Sequence, residues 1–304
     1  MKHVPVLLNE TVDALQVKRG GRYVDGTLGR AGHAERILSL GGSVLGIDRD
    51  EQAIVDISAR MARGELAGLE AKKGRHGKLA EIAREAGWDE VDGIVLDLGV
   101  SSPQLDEAAR GFSFRADGPL DMRMDRSCGR TAADVVGEYS EEELENVFRA
   151  YGEEPRARAI AKAIVRARSR DRIETTLQLA AIVERTVGRF GARHPATRVF
   201  QALRMEVNDE IGELERALEG GLGLLKAGGR FAVITFESLT DRIVKRGFRS
   251  HEGREVSLRE GGSRWEGEAP RVRRVTRRSV RPSAEETASN PRSRSARLRV
   301  VERI

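Results

Sequence analysis

The sequence predicts an α/β fold: a Rossmann-like parallel sheet of about seven strands interrupted by an all-helical lobe. Three observations carry this. The first hundred residues alternate strand and helix signals. One apolar strand runs into a glycine-spaced turn and a helix, with an acid closing the next strand. From about Glu107 to Leu225 the alternation stops.

Arg22–Asp25, Ser43–Asp48 and Ile94–Asp97 read as short buried strands, with a weaker one at Leu69–Lys72. Between them, His33–Leu40, Gln52–Arg63 and Lys78–Ala86 carry apolar residues at i, i+3 and i+4, the spacing of helices packed on a sheet. Right-handed crossovers then place every strand's carboxyl end on one rim. The strandless stretch is too long for a loop and is expected to be a helical lobe. Within it, Ser140-Glu141-Glu142-Glu143 is a capping box ahead of a helix to about Ala150, and Pro155 suits the first turn of a helix to Arg168. Thr175–Val187 is a third helix, and Ala196–Leu218 a fourth that returns the chain to the sheet. Strand signal resumes at Arg230–Phe236 after the Gly228-Gly229 turn, and a helix follows from Leu239 to about Phe248. Gly261–Trp265 reads as a loop. The alternating Val272, Val275 and Val280, then Leu298–Val301, read as two final strands. The expected domains are a discontinuous 1–106 with 206–304, and an insertion at 107–205.

At 304 residues and 39% apolar, the chain can bury a core, and its net charge of +5 suits contact with a polyanion. That charge is unevenly spread: residues 264–304 hold 12 Arg, no Lys and five acids, a net of +7 against −2 for the rest. A single cysteine, Cys128, excludes an internal disulfide and fits a reducing compartment. No run approaches the roughly 18 apolar residues of a membrane span, and the N-terminus lacks a signal-peptide pattern, so a cytoplasmic protein without a membrane partner is expected. No Cys/His cluster has metal-ligand spacing, and no Ser/His/Asp triad is evident, so no metal is expected.

The glycines fall as Gly26-x-x-Gly29-x-x-Gly32, followed by Asp48 at the end of the second strand. Backbone N–H groups converge in such a turn, a ligand can approach without a Cβ in the way, and an acid at Asp48 can accept both ribose hydroxyls. The same acid could instead cap the helix beginning near Glu51. Asp97 ends the strand Gly-Ile-Val-Leu-Asp and faces either a turn or a ligand, and Ser101-Ser102-Pro103-Gln104 adds hydroxyls and an amide. His194 reads as a capping or packing residue, Phe112 and Phe114 as apolar anchors of the lobe, and the tail arginines as phosphate contacts.

The chain also resembles the RsmH (MraW) family of bacterial 16S rRNA cytosine-N4 methyltransferases. The resemblance runs nearly end to end, through His3–Leu8, Asp25-Gly26-Thr27, Gly46–Asp50, Asp97–Asp106, Arg110–Phe114, Asp117–Met124, Tyr151–Glu154, His194–Arg198, Asp241–Lys245 and Asn290–Ser295. It implies S-adenosyl-L-methionine on the rim and methyl transfer to one cytosine amine in the decoding region of the small subunit's rRNA. It also implies cofactor contacts at Gly29, Ala31, Gly32 and His33, at Asp48, at His76, and at Asp97 and Gln104. Asp97, Ser101 and Ser102 are the expected catalytic residues, as acceptors for the target amine. The family's His in the stretch Thr235–Arg242 is Glu237 here, and Leu28 and Ala31 stand where Phe or Gly is common. A non-catalytic RNA-binding factor and an NAD-dependent oxidoreductase are the alternative readings, and the oligomeric state is open between monomer and homodimer.

Overall fold

The structure, a computed structural model, describes residues 5–189, 194–257, 260, 262–266 and 269–304. The chain forms two units, Met1–Gly99 with Gly212–Ile304, and Val100–Ile211. The helical unit therefore begins earlier and ends later than the expected 107–205, and residues 100–106 belong to it.

The first unit opens with helix α1 (Leu8–Leu15), then alternates β1 (Arg22–Asp25), α2 (Gly32–Ser39), β2 (Ser43–Asp48), α3 (Glu51–Ala62), β3 (Leu69–Lys73), α4 (Leu79–Glu85) and β4 (Val91–Asp97). In the second unit come α5 (Ser102–Asp106), α6 (Ala132–Glu138), α7 (Glu141–Ala150), α8 (Ala157–Arg168), α9 (Thr176–Val187) and α10 (Thr197–Val207). After α11 (Glu210–Leu224) the chain completes the first unit with β5 (Leu225–Thr235), α12 (Ser238–Ser250), β6 (Arg254–Ser257), β7 (Ser263–Glu266), β8 (Val272–Arg274), α13 (Ala284–Ser289) and β9 (Arg297–Arg303).

Seven strands make one sheet in the order β3-β2-β1-β4-β5-β9-β8. The five from β3 to β5 are parallel, and β9 runs antiparallel to both its neighbours. Side chains alternate across the strands, so Val24, Leu45, Ile94, Leu96 and Val233 join Leu79, Leu214 and Leu218 on one face. Val44, Val95, Ala232, Leu298 and Val300 join Leu15, Ile37 and Ile57 on the other. Both faces are covered, which is why the strands read as near-continuous apolar runs.

Capping boxes at Thr131, Ser140 and Thr175 start α6, α7 and α9. Helix α8 begins at Ala157, so Pro155 precedes it instead of occupying its first turn. Leu144, Phe148, Ile160, Ile164, Leu179, Val183 and Leu203 fill the helical unit's core. Among the described residues, no helix is long and apolar enough to cross a membrane.

Three expectations are corrected. The helix expected over Ala196–Leu218 is two, α10 and α11, because Asp209 turns left-handed at φ 49°. Beside it, the Asn208 amide donates to the carbonyls of Met122 and Arg204, both at 2.8 Å, and accepts the Met124 N–H at 2.9 Å. Strand β5 starts at Leu225, opposite Val91, and resumes pairing at Arg230, opposite Gly93. The Gly228 turn, φ 75°, is thus a bulge inside the strand. Ser263–Trp265, expected in a loop, belong to β7, which pairs with β6 in a separate two-stranded sheet; Gly261 lies outside the described residues.

Candidate active site

Asp25 stands opposite Gly46 on one side and Val95 on the other, so β2 and β4 each run two residues past β1, to Asp48 and Asp97. The turn after β1 occupies that notch. Gly26 N–H donates to the Val95 carbonyl and Leu28 N–H to that of Ile47, both at 3.0 Å, while the Thr27 hydroxyl accepts Asp97 N–H at 2.6 Å. Gly29 and Ala31 both turn left-handed, at φ 49° and 65°. Gly29 N–H donates to Asp48 Oδ2 at 2.7 Å, and the other carboxylate oxygen accepts Asp50 N–H at 2.8 Å. The helix cap at α3 is Asp50, whose side chain accepts from Gln52 N–H. Asp48 is not that cap. A Cβ on Gly32 would lie 2.1 Å from Pro5 Cγ, so only glycine fits there. The His33 ring is committed beneath the turn, where Nε2–H donates to the Val6 carbonyl at 3.2 Å.

The rim is electrostatically unfinished. Burial, helped by the charges of Asp97 and Asp48 and opposed by the Thr27 N–H, pushes the Asp25 carboxyl up to about 7. Burial alone pushes Asp97 up to about 7. Asp48 is also raised, first by burial, against the hydrogen bonds from Asp50 and Gly29 and the nearby positive charge of Arg49. Asp97 Oδ1 is buried with no hydrogen-bond partner among the described residues. No ion pair at or below 4.0 Å reaches any of these three carboxylates among the described residues. Such a cradle favours a ligand that brings positive charge.

His76 sits beside the same turn: a Cβ on Gly26 would lie 3.5 Å from the His76 Cβ. Burial lowers its imidazole to about 4, so the ring is neutral, and Nε2 is buried without a partner among the described residues. The turn holding it is anchored by Glu213, which accepts Gly77 N–H at 3.0 Å and pairs with Arg216 and Arg75. Glu213 is 2% exposed, and a Cβ on Gly77 would fall 2.4 Å from its Oε2. Sequence reading missed Asp25, Thr27 and Glu213. Asp25 stood inside the quoted glycine segment. Glu213 carries no local signal, because its partner lies 136 residues away.

The structure brings Gly29, Ala31, Gly32, His33, Asp48, His76 and Asp97 together in the first unit. Ser101, Ser102 and Gln104 belong to the second, where Ser101 and Gln104 form the capping box of α5. Glu237 precedes α12 without capping it through its side chain. The tail arginines are not uniformly available for phosphate. Arg299 donates to both Asp241 oxygens, at 2.7 and 3.0 Å, Arg297 donates to Oδ2 at 3.0 Å, and Arg303 donates to the Leu225 carbonyl. His194 Nδ1 accepts Ala196 N–H at 3.2 Å, and Phe114 stacks against His194 and Phe200. Among the described residues, no group of three or more His, Cys, Asp or Glu is arranged to hold a metal ion.

The sequence profile of the MraW methylase family matches residues 1–304. A ribosomal RNA small subunit methyltransferase H from Methylobacterium nodulans is 51% identical, covering 99% of this chain and 90% of its own length. One of the same name from Citrifermentans bemidjiense is 49% identical, covering 99% and 98%. Among solved structures, an rRNA methylase from Streptococcus thermophilus is 13% identical over 100% of this chain and 99% of its own, with a TM-score of 0.44.

Proposed function

This chain belongs to the MraW methylase family. From that premise we propose that it moves the methyl group of S-adenosylmethionine onto the exocyclic N4 amine of one cytosine in the decoding region of 16S rRNA, by direct in-line displacement. The observation that carries the reading is the rim of three carboxylates, none of them in an ion pair among the described residues and two of them, Asp25 and Asp97, pushed by burial up to about 7.

The residues fit such a donor. S-adenosylmethionine carries a sulfonium and an ammonium, positive centres that a rim of raised carboxylates favours, and when bound it supplies an electrophilic methyl. Asp48 accepts ribose hydroxyls while its hydrogen bond to Gly29 fixes the turn. The backbone at Ala31, Gly32 and His33 opens α2 towards the donor's carboxylate. Neutral His76 offers Nε2 to the adenine.

The cytosine amine shares its lone pair with the ring and is a poor nucleophile. An acceptor on its N–H draws the nitrogen towards sp³ and turns the lone pair to the methyl carbon. Asp97 is the acceptor in this reading: its Oδ1 has no other partner among the described residues, and a carboxyl near 7 can take the proton that the amine loses as the C–N bond forms. The hydroxyls of Ser101 and Ser102 are proposed as further acceptors on chain order alone, since both follow within five residues. Gln104, in the same way, is proposed as a donor contact.

Calorimetric titration with S-adenosylmethionine against NAD tests the cofactor. Methyl incorporation into small subunits from cells lacking the gene, read by mass spectrometry of the nucleosides, tests the reaction. N4-methylcytidine is the expected product. Methylation of another atom would overturn the specificity, and affinity for NAD instead of the methyl donor would overturn the whole reading.

A further inference from the structure

Along the β8 edge of the sheet, the segment after β8 turns back over β9 and is pinned at both ends. The Thr276 hydroxyl accepts Val300 N–H at 2.9 Å, and Val280 exchanges two backbone hydrogen bonds with Leu298, each 2.9 Å. Between this segment and α12 lies a cavity of about 440 Å³ lined by Lys245, Arg277, Arg278, Ser279, Arg281 and Arg299. No acid lines it.

Five tail arginines are paired with acids. Arg271 meets Glu219, Arg273 meets Glu302, Arg274 meets Glu252, and Arg297 and Arg299 share Asp241. Lys245, Arg277, Arg278 and Arg281 have no carboxylate partner among the described residues. Arg299 is held at the cavity wall by Asp241, whose charge it and Arg297 already balance. Four like charges gathered on a pinned segment and one helix repel one another unless an anion sits between them.

The geometry points to a phosphodiester cradle here, formed by Lys245, Arg277, Arg278 and Arg281 and occupied by the backbone of the substrate RNA. Among the described residues the lining holds no aromatic ring on which a base could stack, so backbone, not sequence, is what it reads. Its volume matches clefts that take extended ligands instead of single ions. Ser279 adds a hydroxyl to the same wall. The identity of the ligand rests on the methyltransferase reading above.

The test is binding of a labelled small-subunit rRNA fragment across a salt series, for the triple variant Arg277→Gln, Arg278→Gln, Arg281→Gln. A charge-matched control carries Arg19→Gln, Arg36→Gln and Arg84→Gln. Each lost phosphate contact on single-stranded RNA lowers the slope of log K against log salt by about 0.7. The triple variant should lose about 2 from that slope and bind more than about tenfold more weakly at low salt, while the control moves neither. Unaltered S-adenosylmethionine affinity reports that the variants are folded; if the triple variant loses it, Lys245→Gln alone decides, with an expected slope loss of about 0.7. An unchanged slope in a folded variant overturns the cradle. So does a loss confined to tripolyphosphate binding, which would make the cavity a small-anion site. If the wild type binds RNA through these residues yet methylates none, the methyltransferase reading fails and the cradle stands.

Discussion

The sheet's rim and its β8 edge carry opposite unmatched charges. At the rim, Asp25, Asp48 and Asp97 gather with no ion pair among the described residues; at the edge, Lys245, Arg277, Arg278 and Arg281 gather with no acid among the described residues that line the cavity. Elsewhere in the same unit, buried carboxylates are matched: Asp241 by Arg297 and Arg299, Glu302 by Arg230 and Arg273, Glu213 by Arg75 and Arg216. The difference separates two uses of charge. Matched groups hold the fold, and in the readings proposed above the unmatched ones receive a ligand of the other sign.

The comparison breaks most visibly at Asp241. Burial alone would raise its carboxyl, but Arg299 and Arg297 hold it below the ordinary value. Asp241→Ala strands two guanidiniums and should cost about 3–5 kcal/mol in urea unfolding. Asp97→Asn should do the reverse. At pH 8 it removes a buried, unpartnered negative charge, so the donor-free protein gains about 1–3 kcal/mol while methyl transfer falls about 100-fold or more. Should stability and transfer fall together, Asp97 belongs with the matched charges and the distinction fails.

A smaller effect lies in pH. Because Asp25 and Asp97 are raised from 3.8 to about 7, the stability they contribute is complete below pH 4 and is lost as pH rises through 7. A cationic ligand favours the ionised forms and inverts the trend. Affinity for S-adenosylmethionine should climb between pH 5 and 7 by about tenfold per unit for each acid that must ionise, then level off. Calorimetry in buffers of different ionisation heat should show proton release that shrinks in Asp97→Asn. Smallest of all is Ser101→Ala, which removes the α5 cap and should lower stability by about 1 kcal/mol. A much larger loss confined to turnover would support the hydroxyl as an acceptor.

What the sequence made legible follows the reach of each interaction. Asp48, Gly29 and Ala31 could be placed because a strand, a tight turn and a helix start lie within a few residues of one another. Ser140 and Glu143 could be placed because a capping box is local. The split of α10 from α11 was hidden, since Asn208 bonds to Met122 and Met124, residues far back in the chain. Glu213 and the pairing of the tail arginines were hidden for the same reason. Pairing over Ser263–Glu266 escaped because four residues are too few for an apolar alternation to be read.

Glu213 also bears on how the protein is made. The turn bearing His76 leaves the ribosome long before the helix that fastens it, and β4 waits equally long for β5. Synthesis proceeds from the amino end, so a nascent chain holds the first half of the proposed donor site unclosed while the helical unit is being translated. Methylating capacity therefore arrives late and all at once, and a prematurely terminated polypeptide that stops after the helical unit would lack it.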